Sequence, residues 1–130
     1  MIVVDNSVLV AALVDQGATG KACAARLSGE SLTAPALIDI EAAHAIRGLL
    51  LGGKICAADA DRALRLLPSL PIRRTMHGDL LPRVWELRGN FTAYDAVYVA
   101  LAEHLEIPLV TGDAKLQRGS GARCAIEVIQ

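Results

Sequence analysis

The chain has 130 residues, 53% of them apolar, 21% charged and 3% aromatic, with a formal net charge of −1. That length sets the expectation of one domain, residues 1–130, burying about two-thirds of the surface the unfolded chain exposes. The composition excludes intrinsic disorder and any collagen-like or low-complexity class. Trp85, Phe91, Tyr94 and Tyr98 are the whole aromatic stock, too few for a sheet-borne stacking platform for single-stranded nucleic acid. Cys23, Cys56 and Cys124 fit neither a zinc pattern nor a Cys-x-x-Cys pair. The apolar start, Ile2 to Val14, has no Lys or Arg before it and is interrupted by Asp5, unlike a signal peptide. No apolar run reaches the length of a membrane span. The expectation is a soluble, cytoplasmic protein with reduced thiols.

Ile2-Val3-Val4 has the pattern of a strand buried on both faces and ends at Asp5. Ser7 is the expected cap of a helix over Val8–Val14, and a second helix follows from about Thr19 to Leu27, closed by Gly29. Leu32-Thr33-Ala34 reads as a strand. Pro35 is then expected to open a helix that runs to Leu51 and stops at Gly52-Gly53. Ala57 to Leu67 is a further amphipathic helix ended by Pro68 and Pro71, and Ile72 to Thr75 a short edge strand. A helix from about Asp79 to Arg88 accommodates Pro82 in its first turn. Thr92-Ala93-Tyr94-Asp95 has the form of a capping box, opening an apolar helix to about His104. Leu109-Val110-Thr111 is another buried strand, ending at Gly112-Asp113, and Ala125 to Ile129 closes the chain as a strand. Alternating strands and helices predict an α/β fold around a mostly parallel sheet. Such sheets bind ligands outside the carboxyl ends of their strands, where Asp5 and Asp113 fall.

Glu41 belongs with them. Its helical neighbours Leu37, Ile38, Ala42, Ala45 and Leu49 are apolar, so its carboxylate faces the protein body and needs a proton, a donor or a cation. No Lys or Arg stands three or four residues away. Asp95 has a purely structural reading as a cap, and Asp5 and Asp113 as turn residues. Each of those explains one residue. A site of hard oxygen ligands for Mg²⁺ or Mn²⁺ explains all four together.

Four stretches resemble the PIN-domain family and, within it, VapC-type toxins. They are Ile2-Val3-Val4-Asp5-Asn6-Ser7-Val8-Leu9-Val10, Ala34-Pro35-Ala36-Leu37-Ile38-Asp39-Ile40-Glu41, Thr92-Ala93-Tyr94-Asp95-Ala96-Val97-Tyr98-Val99-Ala100-Leu101-Ala102 and Thr111-Gly112-Asp113-Ala114-Lys115-Leu116. The likeness spans residues 1 to about 129. It implies a three-layer α/β/α fold, an acidic cluster holding Mg²⁺ or Mn²⁺, and endonucleolytic cleavage of RNA by a metal-activated water. Asp5, Glu41, Asp95 and Asp113 fall on the family's four acidic positions, catalytic and metal-binding, with Asp5 and Asp95 the first choice as direct ligands. Ser7 and Thr111 fall on its supporting hydroxyl positions. Asn6 departs from the Ala or Thr common in the family and can add a hydrogen bond to the site. The resemblance further implies an RNA substrate, a cognate VapB-type antitoxin and a homodimer, with Ala22 to Leu27 and Ile46 to Leu51 as candidate contact segments.

Net charge does not oppose a polyanionic substrate, because four of the 14 acidic residues form this set and the 13 basic ones outnumber the rest. Lys115, Arg118 and the arginines between Arg62 and Arg88 are candidates for phosphate contacts. Rival readings fare worse. Glu41-Ala42-Ala43-His44 has the Glu-x-x-His spacing of di-iron bundles, but the strands exclude a four-helix site. His77 and His104 lack the partners of a nucleophilic triad, and an aspartyl-phosphate enzyme wants a second acid where Ser7 stands. A catalytically silent PIN-like module that binds RNA or a partner is the alternative, against which stands the retention of all four acids.

Overall fold

Ile2–Val4 (β1) is buried on both faces because it lies in the middle of a five-stranded sheet with strand order β3-β2-β1-β4-β5. The computed structural model describes residues 1–130. In chain order the other elements are α1 (Asn6–Val14), α2 (Ala18–Leu27), β2 (Leu32–Pro35), α3 (Ile38–Leu51), α4 (Ala57–Leu66), β3 (Ile72–Thr75), α5 (Leu81–Glu86), α6 (Ala93–Leu105), β4 (Leu109–Thr111), α7 (Ala114–Arg118) and β5 (Ile126–Val128). Every strand pair is parallel, with Val3 opposite Thr33 of β2 on one side and Leu109 of β4 on the other. No helix is long and apolar enough to cross a membrane.

Parallel neighbours require crossovers, and right-handed crossovers decide the layers. The chain moves from β1 through β2 to the β3 edge, which stacks α1 to α4 on one face. It then returns past β1 to β4, which puts α5 and α6 on the other. The packing agrees: α1 lies against α2, α3 and α4, while α6 lies against β1, β2, β4 and α5. Seven consecutive residues of α6, Ala96 to Ala102, are buried, because this helix fills the space between the sheet and α5 and has almost no solvent face. Close approach is also needed where α1 turns into α2: a Cβ on Gly20 would stand 1.8 Å from the Asp15 carbonyl oxygen.

Two expectations about helix starts are corrected. Pro35 ends β2 and does not open α3. The Ala36 amide donates to the Thr75 carbonyl of β3, so residue 35 faces β1, whose pairing stops at Val3 and Thr33; the missing amide there costs nothing. Ser7 does not cap α1. The N-cap position is Asp5, and the Ser7 hydroxyl is engaged elsewhere, as described below. The helix expected from Asp79 divides into a 3₁₀ turn, Gly78–Leu80, and α5. The five-residue α7 has no counterpart in the sequence reading.

The first turn of α3 is pinned from β3. Arg74 grips Asp39 with two hydrogen bonds, Nε to Oδ2 at 2.8 Å and Nη2 to Oδ1 at 3.0 Å, and also donates to the carbonyls of Leu67 and Ile72. Such a fork fixes direction as well as distance. It sets the rotation of α3 two residues before Glu41.

Candidate active site at the carboxyl ends of the strands

The strand order reverses between β1 and β4, since β1 connects onward to β2 on one side and β4 to β5 on the other. This switch point opens a crevice at the strands' carboxyl ends. Asp5 leaves β1 into it, Thr111 ends β4 beside it, and the first turns of α3 and α6 bring Glu41 and Asp95 to it.

Asp5 is 5% exposed. Its Oδ2 accepts hydrogen bonds from the Ser7 hydroxyl at 2.6 Å and the Thr111 hydroxyl at 2.8 Å. Those hydroxyls are oriented by the turn between β4 and α7: Ser7 Oγ accepts from the Gly112 amide at 2.9 Å and Thr111 Oγ1 from the Asp113 amide at 3.1 Å. Each hydroxyl accepts from a backbone amide and turns its single O–H to donate to the Asp5 carboxylate. A Cβ on Gly112 would approach Ser7 Oγ to 3.3 Å, so a larger residue there would disturb this relay. Burial pushes the Asp5 carboxyl above its ordinary range, and the Ser7 and Thr111 hydrogen bonds oppose that shift.

Glu41 is half-buried, and its Oε1 accepts from the Tyr98 hydroxyl at 2.7 Å. Burial again raises the carboxyl most; the charges of Asp5 and Asp95 raise it further, while the Tyr98 hydrogen bond acts to lower it. Asp95 follows the same logic. Burial raises its pKa first, then the charges of Asp5 and Asp113, against smaller lowering effects from Thr92 and Lys115. The carboxylates therefore form one electrostatically linked group. None of the ion pairs in the protein involves any of the four.

Both structural alternatives hold in part. The Thr92 hydroxyl accepts from the Asp95 amide at 3.1 Å, which is one half of a capping box, and α6 has no reciprocal bond from the Asp95 carboxylate. Asp113 does cap α7, its Oδ1 accepting from the Lys115 amide at 2.9 Å. Tyr98 was missed as a site residue, although Asp95-x-x-Tyr98 places both on one face of a helix. Burial, reinforced by the bond to Glu41, drives its hydroxyl far above the ordinary tyrosine range, so it remains a donor. Several basic candidates are committed elsewhere: Arg74 to Asp39, Arg83 to Glu103, and Arg88 over the Trp85 ring at 4.9 Å. Ile46 is core, whereas Leu51 is 68% exposed.

The donor set suits a hard divalent cation: carboxylate oxygens, no thiolate or imidazole, and no ion-paired protein cation, Lys115 acting on Asp95 only through its charge. No group of three acidic, His or Cys side chains lies within joint ligating reach of one ion. At most two of the carboxylates could therefore ligate one ion directly, the number with which Mg²⁺ sites are commonly built when waters and substrate phosphate take the remaining positions.

A PIN domain family model matches residues 2–121. Ribonuclease VapC9 of Mycobacterium tuberculosis is 43% identical over 129 residues, covering 99% of this chain and 98% of that protein. Ribonuclease VapC1 of the same organism is 40% identical, covering 98% and 97%. Among solved structures, Mycobacterium tuberculosis VapC20, described as a sarcin-ricin loop cleaving toxin, superimposes with a TM-score of 0.72 at 16% identity over 91% of this chain and 94% of that one. VapBC2 from Rickettsia felis, bound to a DNA fragment from their promoter, matches with a TM-score of 0.70 at 14% identity over the whole of both chains. The chain belongs to the PIN-domain family, among the VapC ribonucleases.

Proposed function

We propose that this protein is a Mg²⁺- or Mn²⁺-dependent endoribonuclease, the toxin of a toxin–antitoxin pair, acting in the cytoplasm as a homodimer restrained by a VapB-type antitoxin. The observation that carries the reading is the linked group of Asp5, Glu41, Asp95 and Asp113 at the strand switch point, with no protein cation paired to it. Four acids without an ion-paired cation are a poor stabilising device and a good receptor for a cation. Full-length relatives named VapC ribonucleases supply the reaction class. The VapBC2 structure from Rickettsia felis supports the partner class.

Asp5 and Asp95 would hold the ion, with Glu41 and Asp113 completing its surroundings or ordering water. When bound, the ion supplies charge to a scissile phosphodiester and lowers the pKa of water. The chain's own part is positional. Ser7 and Thr111 keep one Asp5 oxygen engaged and fix the plane of the carboxylate, and Tyr98 does the same for Glu41. Burial raises the proton affinity of Asp5, Glu41 and Asp95 in the metal-free protein, and Glu41, which is not assigned to hold the ion directly, is the acid that would take a proton from water. Lys115, Arg118, Arg65 and Arg73 are the cations left to contact RNA phosphates. An antitoxin segment that places an Arg or Lys among the acids would satisfy them and exclude the ion.

Controlled expression tests this. The wild-type chain should arrest growth and create new 5′ RNA ends, and Asp5→Asn or Glu41→Gln should abolish both while the purified variants remain folded. Arrest by a folded Asp5→Asn protein would contradict the reading and favour a silent binding module.

A further inference from the structure

Beside the acids lies a cleft of about 450 Å³ lined by Asn6, Ile40, Glu41, His44, Ala45 and Tyr94. Its size is within the range of about 300–1,000 Å³ that small ligands occupy. Tyr94 is 66% exposed and Ile40 is 76% exposed. Of the other aromatics, Phe91 and Tyr98 are buried, and Trp85, also exposed, has one ring face occupied by the Arg88 guanidinium and does not line the cleft. Tyr94 thus presents an unused ring one residue before Asp95. Ile40 presents an unused aliphatic side chain one residue before Glu41.

We infer that this cleft is a nucleobase subsite, in which the base next to the scissile phosphate stacks on Tyr94 against Ile40 while Asn6 and His44 read its edge. The inference rests on the ribonuclease reading and extends it to specificity. Three observations select a base over other occupants. Glu41 lines both the cleft and the acidic crevice, so an RNA with its phosphate at the acids brings a neighbouring nucleotide within reach of the cleft. No Lys or Arg lines the cleft, which disfavours a phosphate. A wholly apolar occupant would bury the Asn6 amide, the His44 imidazole and the second Glu41 oxygen with nothing to bond to them, whereas a base offers an apolar face together with donors and acceptors on its rim. Single-stranded RNA is recognised by this combination of stacking and edge contacts.

The test is a cycle between protein and substrate. A labelled oligoribonucleotide spanning a mapped cleavage site is compared with versions in which the nucleotide on either side of the cut is made abasic. Loss of one stacked base corresponds to about a 5- to 150-fold change. Tyr94→Ala should lower kcat/KM on the intact oligonucleotide by that factor, chiefly through KM, and weaken its binding in the presence of chelator to the same extent. Tyr94→Phe should retain both. On one of the two abasic oligonucleotides the wild type should fall to the level of Tyr94→Ala, and the two lesions together should be no worse than either alone. His44→Ala should alter which base is preferred at that position. Because the ring is exposed, folding of Tyr94→Ala should be unchanged by circular dichroism.

Wild-type rates in Tyr94→Ala, or equal losses on intact and abasic RNA, would overturn the base subsite and leave the ribonuclease reading standing. Dissociation of a dimer by Tyr94→Ala, with undiminished cutting, would overturn it in favour of a protein contact. A wild type that cuts no RNA, or a folded Asp5→Asn protein that still cuts, marks failure of the underlying reading and removes both.

Discussion

The Tyr98 hydroxyl of α6 donates a 2.7 Å hydrogen bond to Oε1 of Glu41 on α3, joining two elements 57 residues apart in the chain. It is the one side-chain hydrogen bond that Glu41 receives, and it holds a half-buried carboxylate in place. Tyr98→Phe should destabilise the protein by about 0.5–1.5 kcal/mol, the usual net worth of such a bond and somewhat more if Glu41 is left charged. Removing a donor from the ionised form also raises the Glu41 pKa further. The acidic limb of the pH–rate profile should move to higher pH. Urea denaturation and a pH–rate series on Tyr98→Phe measure the two effects separately.

Thr111→Val keeps shape but removes one donor to Asp5 and the acceptor of the Asp113 amide. Leaving such groups unsatisfied costs about 1–3 kcal/mol. Thr111→Ser keeps the hydroxyl and should restore most of the loss. Chemical denaturation of the three proteins at one pH checks this, and equal stabilities for Val and Ser would show that the hydroxyl relay does not hold Asp5.

The raised carboxyls give the metal-free protein a definite pH dependence. Asp5, Glu41 and Asp95 all have folded pKa values above their ordinary values of 3.8, 4.5 and 3.8. Such groups favour the folded state fully below the ordinary values, and that contribution is lost as pH rises through the folded ones. Glu103 has the opposite sign. Burial raises it, but hydrogen bonds from Arg83 and the Arg123 amide outweigh that and leave it lowered, so its contribution is present above pH 4.5 and lost on acidification. In chelator, stability should therefore decline from the ordinary carboxyl range upward toward neutral pH, and Asp95→Asn should flatten the decline. Mn²⁺ at about ten times its Kd should restore about 1.4 kcal/mol at neutral pH in the wild type and far less in Asp95→Asn. Thermal melts across pH, with and without ion, report both.

Arg74→Met would remove the fork on Asp39, whose side chains are 22% and 35% exposed. Partial exposure and the moderate screening it brings place the cost at about 1–3 kcal/mol, below the roughly 3–5 of a fully buried pair broken on one side. The stronger expectation concerns function. With the start of α3 unpinned, Glu41 loses its fixed direction, and RNA cleavage should fall more than the small unfolded fraction explains. Parallel measurement of stability and specific activity distinguishes the two contributions.

Much of this fold is legible locally. β1 and β4 announce themselves as apolar runs because both are buried on two faces, and each ends at the switch point where its following acid is displayed. Pro35 misleads because proline opens helices as readily as it ends strands, and which occurs depends on where the neighbouring ladder stops. Ser7 looks like a helix cap from its position before an apolar run; only the approach of Gly112, 105 residues later, gives its hydroxyl a different partner. Tyr98 stands in an apolar helix and reads as core, which it is, while its hydroxyl alone reaches the site. Five-residue α7 is too short for periodicity to reveal.

Cleavage of one end-labelled RNA by purified wild-type and Asp95→Asn protein, each with Mg²⁺ or with chelator, tests most directly whether the linked acids form an ion-dependent ribonuclease centre. The account predicts discrete cuts from the wild type with Mg²⁺ alone, and none from either protein in chelator or from folded Asp95→Asn in either condition. Undiminished cutting by folded Asp95→Asn, or by the wild type in chelator, would contradict it.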